Sequence, residues 1–150
     1  MRSGDSWPIA PGIGVVMADA FVLDTSALLA LRSDEAGAAR VAELLRLGQR
    51  RKVRILASFM TRMEILYRVA TTEGEEPAQM ALRLMDAAGV QWISCEAAIL
   101  ETAARFKARG GLSVADAWIA ATAAERAAVL VHKDPEFARA PEVAQERLPT

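Results

Sequence analysis

The chain has 150 residues, 53% of them hydrophobic, a net charge of -1, one cysteine and one histidine. That length suits one domain able to enclose its own core, and the near-zero charge excludes nucleic-acid binding through a bulk basic field. Cys95 alone excludes an internal disulfide and, at the end of an expected strand, reads as a small buried thiol; His132 alone excludes a histidine zinc cluster.

Residues 1–16 carry Gly4, Pro8, Pro11, Gly12 and Gly14, which break helical and strand periodicity alike. They read as a flexible extension, with Met1 or Met17 as the start and the domain over 17–150. A secretion leader is disfavoured, because helix breakers interrupt the uncharged run and Asp5 stands where positive charge is needed. No apolar run approaches the roughly 20 residues that span a bilayer. A cytoplasmic protein without membrane association is therefore expected.

From Ala20 strands alternate with helices. The first strand covers 20–24, and Thr25-Ser26 open a short helix through Leu31. Asp34 is expected to open a second helix with an apolar stripe of Val41, Leu44, Leu45 and Gly48. Strand two covers 53–57. Ser58 caps a third helix whose expected buried face is Phe59, Met63, Leu66, Tyr67 and Ala70, ending before Gly74. A fourth helix has Pro77 in its first turn and stops at Gly89. Strand three covers 90–95, and a fifth helix 96–109 ends at Gly110-Gly111. Ser113 caps a sixth helix through Arg126, strand four covers 128–132, and the tail after Pro141 reads either as irregular chain or as a short edge strand over 143–148. The fold class this predicts is α/β, with a central parallel sheet of four or five strands between helical layers.

That layout gives four distant acids a common location. Asp24 and Asp134 close the first and last main strands, and Glu64 and Asp116 lie on the helices that begin at Ser58 and Ser113. Ligands of open sheets gather at the carboxyl edge of the strands. Singly, each acid has a plainer role; Ser113-x-x-Asp116, for example, fits a helix-capping box. Clustered carboxylates repel one another and lose hydration, so the set is stable with a divalent cation among them, and oxygen-only ligation suits Mg²⁺ or Mn²⁺. His132 points to the same strand face as Asp134 and could supply a supporting hydrogen bond or a proton. Between Arg32 and Arg54 seven basic residues face three acidic ones. Arg50, Arg51 and Lys52 of that segment, with Lys133, are candidate phosphate contacts, and Lys107 and Arg109 further ones. Leu28, Leu29, Leu31, Leu44, Leu45 and Leu47 exceed what one helical stripe needs, which suggests a groove or a dimer contact.

Val22-Leu23-Asp24-Thr25-Ser26-Ala27, Thr61-Arg62-Met63-Glu64-Ile65, Ser113-Val114-Ala115-Asp116-Ala117-Trp118 and Leu130-Val131-His132-Lys133-Asp134-Pro135 occur in that order. Together they resemble the acidic motifs of PIN-domain nucleases, and their spacing over about residues 20–140 resembles the VapC-type toxin ribonucleases of bacterial toxin-antitoxin pairs. The resemblance implies a three-layer α-β-α fold and RNA hydrolysis leaving 3′-hydroxyl and 5′-phosphate ends. Asp24, Asp116 and Asp134 would hold the metal, Glu64 would share it or orient water, and Ser26 and His132 would support the cluster. It further implies a homodimer and a small cognate antitoxin, whose segment lies in an apolar groove and whose basic side chain reaches the acidic pocket. One departure stands out: His132 occupies a position where the family usually has Thr or Ser. Two other functions fit part of the pattern, a receiver-like Mg²⁺-binding phosphoacceptor domain and a PIN-like module that binds RNA or protein without cleaving.

Overall fold

Side chains alternate along a strand, and that alternation sets the layers here. In β1 (Ala20–Leu23), Phe21 and Leu23 enter one core while Ala20 and Val22 enter another. In β2 (Arg54–Ser58), Ile55 and Ala57 join the first core and Leu56 the second. Both faces of the sheet are thus apolar, as a parallel sheet between two helical layers requires.

The computed structural model describes residues 18–150, so the extension expected over 1–16 and the alternative start Met17 lie outside the described residues. The elements after β1 are α1 (Thr25–Arg32), α2 (Ala38–Gln49), β2, α3 (Phe59–Glu73), α4 (Glu75–Ala87), β3 (Gln91–Ile93), α5 (Ala97–Arg109), α6 (Val114–Glu125), β4 (Val129–His132), a 3₁₀ turn (Pro135–Arg139) and β5 (Gln145–Arg147). The five strands run in the order β3-β2-β1-β4-β5, and every pairing is parallel. Helices α1 to α4 pack on the first core, α5 and α6 on the second. The chain runs outward from β1 to β3 and returns beside β1 as β4. That return leaves a crevice at the carboxyl ends of β1 and β4.

The parallel five-stranded sheet between helices agrees with the sequence reading, and most boundaries fall within one or two residues of it. Three expectations are corrected. The second helix opens at Ala38, not Asp34, because Asp34 and Gly37 both take positive φ (52° and 96°) in the turn that separates α1 from α2. The buried face of α3 is Thr61, Glu64, Ile65 and Val69, while Met63 and Tyr67 are each 49% exposed. This helix carries apolar residues all round, so periodicity alone left its orientation ambiguous. Finally, β3 ends at Ile93, which puts Cys95 past the strand and exposed rather than buried.

Candidate metal centre

Asp24 stands one residue past β1. Its backbone N–H donates to Val131 O of β4 at 3.0 Å, which extends the ladder and fixes the residue at the crevice. Its side chain also caps α1, accepting from Ser26 N–H at 3.1 Å and from Ser26 Oγ at 2.5 Å, both on Oδ2. Ser26 Oγ in turn accepts from Lys133 N–H at 3.0 Å, so one hydroxyl joins the ends of β1 and β4. Asp24 is buried, and burial raises its carboxyl above the ordinary range; the nearby charge of Glu64 adds to this, while the Ser26 bonds work against it.

Glu64 enters from the buried side of α3. Thr25 Oγ1 donates to its Oε1 at 2.6 Å and lies 3.2 Å from Thr61 Oγ1, giving a buried polar set of two hydroxyls and one carboxylate. Arg68, one helical turn on, places a guanidinium nitrogen 3.4 Å from Glu64 Oε2. Asp116 sits in the first turn of α6, where its N–H donates to the capping Ser113 Oγ at 3.1 Å. Phe59 and Trp118 meet edge to face, centroids 4.9 Å apart, and hold the starts of α3 and α6 together.

Asp134 follows β4 and caps the 3₁₀ turn, accepting from Glu136 N–H at 2.9 Å. Its own N–H donates to His132 Nδ1 at 3.1 Å, which puts the imidazole proton on Nε2, 2.9 Å from Gln145 Oε1. Gln145 Nε2 donates to Phe137 O and Ala140 O at 2.8 and 3.0 Å, and this fixes the amide orientation. His132 is therefore a buried strut behind Asp134. Both ring nitrogens are occupied, so it is not placed to move a proton in the crevice.

Asp24, Thr25, Ser26, Glu64, Arg68, Ser113, Asp116 and Asp134 line one polar cleft of about 130 Å³. All four acids expected from the sequence meet there. Carboxylate oxygens of Asp116, Asp134 and Glu136 lie within 4.8 Å of one another, so Glu136 joins the cluster from the 3₁₀ turn. Burial first, then the charges of Asp24, Asp134 and Glu64, push the Asp116 carboxyl up to about 7. A bound dication would reverse the charge part of that shift, and an oxygen-only donor set suits a hard cation. The residues present thus fit Mg²⁺ or Mn²⁺.

The expected phosphate contacts lie elsewhere. Arg50, Arg51 and Lys52 precede β2 and stand at the opposite edge of the sheet from the cleft. Lys133 Nζ turns to Ala36 O at 2.9 Å and Glu35 at 3.6 Å, Lys107 Nζ to Leu112 O at 2.9 Å, and Arg109 pairs with Glu142. Sequence reasoning assigned no role in the cleft to Arg68, Glu136, Thr61 or Gln145 and treated Thr25 as a helix cap and as part of the first acidic motif, not as a partner of Glu64. Arg68 and Glu136 carried readable signals, four residues after Glu64 and two after Asp134.

The family model for the PIN domain matches residues 21–143, which spans all four acids and the sheet apart from Ala20 of β1 and the whole of β5. The chain belongs to the PIN-domain family. Solved structures agree on the fold. VapBC2 from Rickettsia felis bound to a DNA fragment from its promoter is similar at TM-score 0.71 and 18% identity, over 87% of this chain and 99% of that one. VapBC-1 from nontypeable Haemophilus influenzae gives 0.68 and 23%, over 85% and 97%. VapC20 from Mycobacterium tuberculosis, described as a sarcin-ricin loop cleaving toxin, gives 0.64 and 19%, over 86% and 99%. No curated protein matches this chain in sequence. Within the matched span His132 is held between Asp134 and Gln145 by its two ring nitrogens.

Proposed function

We propose that this PIN domain is a metal-dependent endoribonuclease and the toxin of a toxin-antitoxin pair. The observation that carries the reading is the convergence of Asp24, Glu64, Asp116 and Asp134 in one cleft at the carboxyl edge of the sheet. Asp24, Asp116 and Asp134 would hold Mg²⁺ or Mn²⁺, with Glu136 beside the last two. When bound, the cation acidifies coordinated water and offsets charge growing on the scissile phosphate.

Glu64, held by Thr25, orients the attacking water. The water oxygen bonds to phosphorus, the bond from phosphorus to the 3′-oxygen breaks, and that oxygen takes a proton, leaving 3′-hydroxyl and 5′-phosphate ends. Ser26 and His132 hold Asp24 and Asp134 in place and take no part in proton transfer. RNA as substrate is supported by the family and by the sarcin-ricin loop cleaving neighbour.

An apolar groove lined by Leu28, Leu31, Leu45, Leu84, Met85 and Val90 lies between α1, α2 and α4. It suits an amphipathic antitoxin segment, and a basic side chain from that segment would pair with the carboxylates. A homodimer and a cytoplasmic location belong to the same reading. No helix among the described residues is long and apolar enough to cross a membrane. A receiver-like role is disfavoured, because Lys133 is turned to Ala36 and away from the acids.

The test is cleavage of a mixed RNA pool across a Mn²⁺ titration, with product ends sequenced. Metal-dependent cuts with 5′-phosphate ends, lost in Asp116→Asn, support the proposal. Equal cleavage by both proteins would mark a contaminant and favour a non-cleaving module.

A further inference from the structure

Four carboxylates make the cleft hostile to a phosphodiester, and one divalent cation offsets only half of their formal charge. Some further positive group must meet the substrate. Most of the basic residues singled out from the sequence are ruled out by position. Arg50, Arg51 and Lys52 occupy the far edge of the sheet, and Lys133, Lys107 and Arg109 are turned to other partners.

Arg68 is the one basic side chain that lines the cleft among the described residues. Helical spacing explains its placement: residues i and i+4 share a face, so Arg68 stands over Glu64. A simple surface ion pair would use the guanidinium more fully. Here the contact to Glu64 is a single one of 3.4 Å to Oε2, the Tyr67 hydroxyl stands beside the same guanidinium, and Glu64 is already anchored at Oε1 by Thr25 at 2.6 Å. Removing Arg68 would therefore leave Glu64 held. Arginine offers five N–H donors in a planar fork matched to phosphate, and this contact uses one. Its side chain is 48% exposed, so the fork is open to an incoming strand.

We propose that Arg68 contacts substrate, donating to a nonbridging oxygen of an RNA phosphate at the mouth of the acidic cleft. The inference rests on reading that cleft as a phosphodiesterase site. The same guanidinium offsets part of the carboxylate charge before substrate arrives and then moves a short way from Glu64 to the phosphate. An alanine at this exposed helical position keeps the fold.

Three measurements on wild type, Arg68→Ala and Arg68→Lys test it. Arg68→Ala should lower Mn²⁺-dependent RNA cleavage by about 30- to 100-fold, and Arg68→Lys, which keeps the charge without the fork, should recover part of that loss. Mn²⁺ affinity by calorimetry should be equal or tighter in Arg68→Ala. Binding of a labelled single-stranded RNA, measured in an Asp116→Asn background, should show a salt slope shallower by roughly 0.7, the change expected for one lost phosphate contact. An unchanged slope would overturn the inference. So would a tenfold weaker Mn²⁺ affinity in Arg68→Ala, since that assigns Arg68 to holding Glu64. A wild type that fails to cleave in Mn²⁺ sinks the nuclease reading instead, and the salt slope, which needs no turnover, then decides on Arg68 alone.

Discussion

Thr25 Oγ1 lies 2.6 Å from Glu64 Oε1, joining two buried residues 39 positions apart. The bond ties the first turn of α1 to the middle of α3 and sets where Glu64 points. Thr25→Val keeps the shape and removes the donor, which leaves a buried carboxylate short of a partner. Urea unfolding should show a loss of about 1–3 kcal/mol. RNA cleavage should fall about tenfold or more as Glu64 loses its fixed direction. Thr25→Ser restores the hydroxyl and should stay near wild type in both assays.

The Asp116 carboxyl titrates at about 7 in the fold against an ordinary 3.8. Between those values the folded state binds more protons than the unfolded one, so metal-free stability falls as pH rises from about 4 to about 7. Asp116 is only partly buried, and solvent screening trims its share to about 1–2 kcal/mol. Asp24, raised mainly by burial, acts in the same direction. Thermal melts across that window should decline in wild type without metal and decline less in Asp116→Asn. At neutral pH the variant should be the firmer of the two. Saturating Mn²⁺ should reverse the order by raising wild type alone, by about 2.7 kcal/mol at 100 times the dissociation constant.

His132 supports Asp134 by accepting its backbone N–H, and Gln145 holds the ring from β5. Partners of this kind behind a metal ligand typically contribute 10–100-fold in metal affinity. His132→Ala should therefore weaken Mn²⁺ binding by about tenfold in calorimetry, with Gln145→Leu moving in the same direction. Unchanged affinity in both would remove the strut from the account.

Much of this site was legible before any coordinates. Asp24 and Asp134 end apolar strand runs, and a parallel sheet places such ends together, so their meeting follows from topology. The Ser113 cap on the Asp116 N–H is real and coexists with the place of Asp116 in the cleft, since a helix start directs both its N–H groups and its first-turn side chains to that edge. The orientation of α3 was not legible. Met63 and Tyr67 look like core residues, but the helix turns Thr61 and Glu64 inward because Thr25 waits there as a partner, and no local pattern encodes a contact made 39 positions away. The run Arg50-Arg51-Lys52 misled for a different reason. Clustered charge says nothing about which edge of a sheet it occupies, whereas its position just before β2 does. His132 joins Gln145 through an edge-strand contact that the polar stretch 145–147 gave no reason to expect.

Comparing RNA cleavage by wild type and Asp24→Asn across one Mn²⁺ titration tests the central claim most directly. Asparagine caps a helix as well as aspartate does, so α1 should remain intact and far-ultraviolet circular dichroism unchanged. The wild-type rate should rise to saturation with Mn²⁺ while Asp24→Asn stays lower by about 1,000-fold, roughly 4 kcal/mol of transition-state stabilisation. Rates that match between the two proteins, or a wild-type rate indifferent to Mn²⁺, would contradict the account.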